Sequence, residues 1–208
     1  MTWANAKIKR ILVRQNWQEK QVRPAFQLKK IFDFSTSDLQ WFTKITSAWN
    51  WLIIDTSNQY CYASWYSSYW TIYKSVNYKK AWQRIKGRLV WWWSLICWIG
   101  NNYAWSWTGF SASLWYDGTK FFYGCKWVSS YYNASLPSWF DWTQWLYYDV
   151  IWDNWTVTFK VLDLNENLIW SDTKTATETS LKYIWFCWGS AYNWNSIYFK
   201  EYRLAYEE

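Results

Sequence analysis

From Ile31 onward, the sequence consists of short segments in which apolar and polar residues alternate, separated by turn-forming residues. Alternation with a period of two places successive side chains on opposite faces of a β-strand. No long stretch repeats its apolar residues with the helical period of about 3.6 residues. About a dozen short strands are best buried as two sheets packed face to face. We therefore predict an all-β fold, a two-sheet antiparallel β-sandwich of the jelly-roll type.

The strongest local pattern is YYDVIWDNWTVTFKVLDLNENLIWS, residues 147–171. Asp153-Asn154-Trp155 is predicted to be the turn between two of its strands. One buried face is predicted to comprise Tyr148, Val150, Val157, Phe159, Val161 and Leu168. The predicted strands are Ile31–Phe34, Leu52–Thr56, Tyr60–Ala63, Thr71–Tyr78, Arg84–Val90, Ser94–Ile99, Phe110–Tyr116, Lys120–Tyr123, Leu146–Ile151, Thr156–Leu164, Leu181–Cys187 and Ser196–Tyr206.

The basic charge is concentrated at the N-terminus. Residues 1–30 hold eight basic side chains and a single acidic one, Glu19, which accounts for the whole net charge of +7. This region reads as a β-hairpin, with a strand KIKRILVR, a turn QNWQ and a second strand EKQVR. We therefore predict a basic hairpin arm over residues 1–30 and a neutral sandwich over residues 31–208. Its candidate docking residues are Lys7, Lys9, Arg10, Arg14 and Arg23. Nucleic acid is disfavoured as a partner because the arm lacks a known binding motif.

Tryptophan is unusually frequent, with 25 residues against 6 glycines. Many tryptophans occupy positions where a hairpin turn favours glycine, namely Asn16-Trp17, Asn50-Trp51, Asp141-Trp142, Asn154-Trp155 and Asn193-Trp194. Five left-handed tryptophans would cost about 5–10 kcal/mol, comparable to the whole stability of a domain. We therefore expect many of these letters to be UGA codons that the source reads as glycine. A truly tryptophan-rich protein is the alternative.

The remaining composition bears on compartment and cofactors. No apolar run reaches the length of about 18 residues typical of a membrane span, and the N-terminus lacks the apolar region of a signal peptide, so synthesis in the cytoplasm without one is expected. Cys61, Cys97, Cys125 and Cys187 form no C-x-x-C pair, and histidine is absent, which disfavours zinc and favours buried thiols over disulfides. Calcium is left open, with Asp117, Asp153 and Asn154 as candidates, although each also suits an ordinary turn.

Three stretches carry a family resemblance: DFSTSDLQWFTKITSAWNWLIIDTS, LYYDVIWDNWTVTFKVLDLNENLI and LKYIWFCWGSAYNWNSIYFKEYRLAY. In order and spacing, the chain resembles the concanavalin A-like lectin/glucanase superfamily, in particular the laminin-G-like jelly rolls of phage and bacterial surface proteins. The segment IKRILVRQNWQEKQVRPA is similar to short basic hairpins of phage tail and other virion proteins. These resemblances imply a virion-associated or cell-surface location.

A glucanase of that superfamily would carry a Glu-x-Asp-x-x-Glu pattern, which this sequence lacks. A divergent carboxylate pair at Asp149 and Asp153, with Asp163 nearby, is conceivable, but turn capping or solvent exposure is favoured for these residues. The basic cluster of Lys79, Lys80, Arg84, Lys86 and Arg88 could meet an acidic glycan. A solvated edge strand is the favoured interpretation of that cluster.

Tyrosine-rich loops supply the rings and amides that sugar-binding surfaces use. The candidate ligand contacts are Tyr62, Tyr66, Tyr69, Tyr131, Tyr132 and Asn133. The favoured function is a non-catalytic recognition or structural domain that binds a surface glycan or a neighbouring virion or tail subunit, with oligomerisation left open. The alternatives are a glycan-cleaving hydrolase or lyase, and a nucleic-acid-associated protein acting through the arm.

Overall fold

The computed structural model describes residues 28–35, 43–45, 51–64, 69–89, 94–100, 110–116, 121–125, 132–134, 136–141, 143–153, 155–175, 181–186 and 197–207. Within these ranges the regular structure consists of strands. They are β1 (Leu28–Phe32), β2 (Thr43–Ile45), β3 (Trp51–Asp55), β4 (Tyr60–Ser64), β5 (Tyr69–Tyr78), β6 (Lys80–Leu89), β7 (Ser94–Gly100), β8 (Phe110–Tyr116), β9 (Phe121–Cys125), β10 (Tyr132–Asn133), β11 (Leu146–Asp153), β12 (Thr156–Leu162), β13 (Leu168–Thr175), β14 (Leu181–Phe186) and β15 (Ile197–Glu207).

The strands form two antiparallel sheets. The first has eight described strands in the order β13-β12-β11-β6-β15-β4-β3, with β1 also pairing with β15. The second has seven in the order β10-β9-β8-β7-β14-β5-β2. The main buried cluster joins side chains of both sheets, including Ala112, Leu114 and Tyr123 from the second and Val150 and Phe159 from the first. The predicted all-β sandwich is therefore confirmed.

The hairpin of β11 and β12 shows why this sequence folds as strands. Asp153 pairs with Thr156, and Trp155 between these two residues lies in a turn, as the sequence predicts. Alternate residues then point into the core, and Tyr148, Val150, Val157, Phe159 and Val161 are all fully buried. The predicted inward position of Leu168 is wrong, because this residue is 54% exposed at the start of β13, beside a register shift in its pairing with β12.

Three of the described strands were not predicted from the sequence. β2 and β10 span only three and two residues, too few for an alternating pattern to be recognised. β13 has the sequence LIWSDTKT, in which polar residues dominate because this strand lies at the outer end of the first sheet. Short and terminal strands lack the strong apolar alternation that a half-buried strand requires.

The predicted arm lies mostly outside the described residues, because these begin at Leu28. Cys187, Asp117 and Asn154 also lie outside the described residues. Cys61 is a buried thiol of the main core, as expected. Of Cys97 and Cys125, only the strand positions are described. In the ranges given above, no helix is long and apolar enough to cross a membrane.

A polar contact joins the two sheets at one end of the core. The hydroxyl of Tyr123 on β9 donates to Asp172 on β13, and Lys174 Nζ lies 2.8 Å from Asp172 Oδ2. Burial would raise the pKa of Asp172, but the hydrogen bonds of Lys174 and Tyr123 outweigh it and lower this pKa below its ordinary value of 3.8. The contact therefore favours the ionised carboxylate.

Replacing Tyr123 with phenylalanine is expected to reduce the free energy of unfolding by about 1–3 kcal/mol at neutral pH, because the charge-assisted hydrogen bond is lost. Since the pKa of Asp172 is lower in the folded state than in the unfolded state, its contribution is present above the ordinary pKa and is lost as pH falls through the folded pKa. Urea unfolding at several pH values should show the wild-type advantage shrinking in acid. An advantage that grows on acidification would contradict the assignment.

Candidate functional site

The outer face of the first sheet, directed away from the second sheet, carries a line of cross-strand neighbours. Tyr62 on β4 pairs with Tyr198 on β15, and Tyr198 pairs with Arg88 on β6. Trp145 continues the line, because it precedes Leu146 of β11, which pairs with Gly87. We call these four residues, together with Tyr60, the aromatic row.

The three tyrosines of the aromatic row pack against one another. The ring of Tyr198 lies 5.0 Å from that of Tyr60, edge to face, and 5.4 Å from that of Tyr62. The rings of Tyr60 and Tyr62 are 5.6 Å apart. All three side chains are only partly buried. Mutual packing at such distances is favourable for aromatic rings and holds their positions before any ligand arrives.

The β3–β4 hairpin places polar groups at one end of the row. Asp55 pairs with Tyr60, and its carboxylate accepts from the backbone N–H of Asn58 at 2.9 Å and from Asn58 Nδ2 at 2.9 Å. Gln59 takes a left-handed φ of 54°, which allows the chain to return into β4. Burial and then Asp55 raise the pKa of Tyr60, so its hydroxyl stays protonated and can both donate and accept.

Cations lie over aromatic rings at the other end. The guanidinium of Arg88 lies 5.4 Å from the ring centre of Trp145 and 5.6 Å from that of Tyr198. Lys200 Nζ lies 5.1 Å from the ring centre of Trp145. Both cationic side chains are exposed. The row therefore offers aromatic surface, a carboxylate and an amide at one end, and positive charge at the other.

A charged network lies next to the aromatic row on the same face. Arg84 holds Asp149 through two hydrogen bonds, Nε to Oδ1 at 2.7 Å and Nη2 to Oδ2 at 2.9 Å, and both side chains are fully buried. Glu166 bridges Arg84 and Arg203, with ion-pair distances of 2.9 and 3.5 Å. Burial would lower the pKa of Arg84, but Asp149 and Glu166 outweigh it and raise this pKa. Burial raises the pKa of Asp149, although Arg84 acts in the opposite direction.

The loop after β12 positions Glu166. Asp163 Oδ1 accepts from the backbone N–H groups of Asn165 and Asn167, each at 2.8 Å. Glu166 itself has a left-handed φ of 64°. Short Asp and Asn side chains commonly fold turns in this way. Asp163 therefore acts as a turn-forming residue, in agreement with the favoured interpretation of its sequence.

The structure does not bring Asp149 and Asp153 together as a catalytic pair. They lie four residues apart on one strand, or roughly 13 Å at the usual rise, beyond the carboxylate separations that glycosidases use. Asp149 is buried against Arg84, and Asp153 lies 3.5 Å from Lys80. Among the described residues, no three His, Cys, Asp or Glu side chains meet as a metal site would require.

The edge-strand interpretation of the basic cluster is wrong. β6, which carries Lys80, Arg84, Lys86 and Arg88, lies in the interior of the first sheet between β11 and β15. Its charges are accommodated there because neighbouring strands supply carboxylates, above all Asp149 for Arg84. Alternating charge alone could not reveal this, since the partners are distant in sequence.

The predicted ligand contacts are divided between the two sheets. Tyr62 lies in the aromatic row of the first sheet, whereas the backbone positions of Tyr69, Tyr132 and Asn133 are on β5 and β10 of the second. Tyr66 and Tyr131 lie outside the described residues. Sequence reasoning missed Tyr60 and Tyr198. The spacing Tyr60-x-Tyr62 could have indicated two rings on one face, but only the strand pairing adds Tyr198.

No protein-family model matches this chain, and no curated protein matches its sequence. The fold is similar to solved structures. The VIP36 exoplasmic/lumenal domain in its Ca2+/Man3GlcNAc-bound form has a TM-score of 0.59 at 10% identity and covers 87% of this chain and 90% of its own. Cip1, a cellulose induced protein, has a TM-score of 0.57 at 10% identity, covering 85% and 97%.

A third similar structure is the CBM2 module of the Lactobacillus casei BL23 phage J-1 evolved Dit, with a TM-score of 0.53 at 11% identity, covering 86% of this chain and 94% of the module. At this level of identity the likeness concerns the fold alone. The chain shares the β-sandwich architecture of these proteins over most of its length.

Proposed function

We propose that this protein is a non-catalytic glycan-binding domain and that the aromatic row is its binding surface. The observation that carries the proposal is the cluster of three partly exposed tyrosine rings beside Asp55 and Asn58. A ring can stack on the apolar face of a sugar while amides and carboxylates bind its hydroxyl groups. The similarity of the fold to the Man3GlcNAc-bound form of VIP36 supports the same proposal. We also propose that the chain belongs to the concanavalin A-like superfamily, as the sequence resemblance implies.

Replacing Tyr198 with alanine is expected to weaken glycan binding by about two- to tenfold, because Tyr198 contacts both other rings and its loss removes stacking surface worth about 0.5–1.5 kcal/mol. Glycan-array screening followed by titration calorimetry measures the effect. Tyr198→Phe is the matched control, since it keeps the ring and should retain most of the affinity. Unchanged binding by a folded Tyr198→Ala variant would remove the aromatic row from the proposal.

We also propose that the protein works on a virion or cell surface, with residues 1–27 docking it to a neighbouring subunit. The similarity of the arm to virion hairpins and the phage origin of the CBM2 module support this proposal. Because β1 begins at Leu28 and pairs with β15, a deletion of residues 1–27 leaves that strand intact. Loss of particle incorporation with retained glycan binding is expected; full incorporation would exclude the docking role.

We further propose that many of the tryptophans in this sequence are encoded by UGA codons, which the source organism or virus translates as glycine. The short β11–β12 turn and the 57% exposure of Trp155 support this, because such turns favour glycine. UGG codons at the turn positions, or tryptophan found there by mass spectrometry of the native protein, would exclude it. The tyrosine cluster of the proposed site does not depend on the outcome, whereas the ring contacts of Arg88 and Lys200 require a genuine tryptophan at Trp145, which is not one of the turn positions named above.

A further inference from the structure

We infer that the aromatic row selects an anionic sugar, one that bears a carboxylate or a sulfate, within a short oligosaccharide. This inference rests on the proposed glycan-binding function and names its ligand class. The observation behind it is the placement of Arg88 and Lys200 at one end of the row, each exposed and each held over an aromatic ring. A neutral sugar would leave both charges without a partner.

The state of these two cations differs from that of three other basic residues on the same face. Arg84, Arg203 and Lys80 each form an ion pair with a carboxylate. Within the described part of the chain, Arg88 and Lys200 form no such pair; their contacts are with the rings of Trp145 and Tyr198. Ring contacts orient a cation without neutralising it, so the charge stays available to an incoming anion.

The two ends of the row differ in chemistry, which gives the ligand a direction. The row crosses four neighbouring strands, roughly 15 Å at the usual strand spacing, a span suited to a short oligosaccharide. At the β4 end, Asp55, Asn58 and the Tyr60 hydroxyl suit sugar hydroxyl groups. At the β11 end, Arg88 suits a carboxylate or sulfate, because its planar guanidinium can donate two parallel hydrogen bonds.

A nucleic acid fits this surface less well. Duplex and single-stranded nucleic acids carry a phosphate at every nucleotide and require an extended basic surface. In the row itself the exposed cations lie at one end and Asp55 lies at the far end, while on the neighbouring line of the sheet Glu201 pairs with Lys86. Phosphates continuing towards the β4 end would meet the Asp55 carboxylate. A ligand with one or two charges avoids this repulsion.

The test uses the full chain and a panel of uronate-containing and sulfated oligosaccharides, each beside its carboxyl-reduced or desulfated neutral counterpart. Calorimetry is expected to show at least tenfold tighter binding of an anionic member than of its counterpart, with the difference shrinking at high salt. Arg88→Gln with Lys200→Gln should abolish that preference, so that the ratio of the two affinities falls to about one whatever happens to the affinity for the neutral counterpart. Lys80→Gln, at the opposite end of β6, is the matched control and should keep the preference.

The outcomes separate this inference from the proposed function. Equal affinity for anionic and neutral members, unaffected by the Arg88→Gln and Lys200→Gln changes, overturns the inference and leaves glycan binding in place. Absence of binding to every oligosaccharide by the folded protein, here and on a neutral glycan array, overturns the proposed function itself. Tighter binding of a single-stranded DNA oligomer, lost in the same double variant, overturns the inference in favour of nucleic acid.

Discussion

Replacing Arg84 with methionine is expected to lower the free energy of unfolding by about 3–5 kcal/mol, a large part of the roughly 5–15 kcal/mol that stabilises an ordinary domain. The expected loss arises because the buried carboxylate of Asp149 remains after its partner is removed. Asp149 is fully buried and receives two hydrogen bonds from Arg84, so its carboxylate would be left without its counter-ion. Chemical denaturation followed by circular dichroism measures the change.

A double variant distinguishes a lost ion pair from a general packing defect. Arg84→Met combined with Asp149→Leu removes both charges and should recover most of the lost stability, since apolar replacements of a buried pair are often neutral. Arg203→Met serves as a milder control, because Arg203 is partly exposed and its partner Glu166 can still reach Arg84. Equal losses in the single and double variants would show that the charge pair is not the cause.

Replacing Phe159 with alanine is expected to cost about 3–5 kcal/mol, through lost apolar burial and the cavity left behind. Phe159 is fully buried on β12, and its ring lies 5.1 Å from that of Tyr123 on the opposite sheet. The matched control is Thr158→Ala, one residue earlier on the outer face, where the side chain pairs with Thr173 across the strands. That control should cost less than about 1 kcal/mol.

Thermal and denaturant unfolding of both variants tests the assignment of faces. A one-residue error in register would reverse the sensitivities, because successive side chains point to opposite faces. A larger loss for Thr158→Ala than for Phe159→Ala would therefore contradict the strand orientation.

Much of the architecture could be predicted from local pattern. The β11–β12 hairpin has a short connection and five alternating core residues, so its pairing and its buried face follow from sequence alone. The interior position of β6 could not be predicted, because it depends on β11 and β15 lying on either side of it. A run of alternating charge suggests exposure unless the distant carboxylate partners are known.

The candidate site was predicted only in part for the same reason. Tyr62 was identified from its tyrosine-rich loop, but the ring that completes the cluster, Tyr198, is distant in sequence and reaches it through strand pairing. Arg88 was recognised as part of a basic cluster, although not as the residue whose guanidinium lies over Tyr198. Residue types can be recognised locally; their convergence on one surface is a property of topology.

The interior position of β15 has a consequence for how the chain folds. β15 follows all the other described strands in sequence, yet it pairs with β6 on one side and with β4 and β1 on the other. Until residues 197–207 emerge during synthesis, the first sheet remains as two separate halves with unpaired strand edges. Joining the two halves of the sheet through contacts so distant in sequence is slow. Until then, the unpaired edges of β6 and β4 can pair with other chains. Loss of this final segment should therefore cause aggregation during synthesis, well beyond the loss of a single strand.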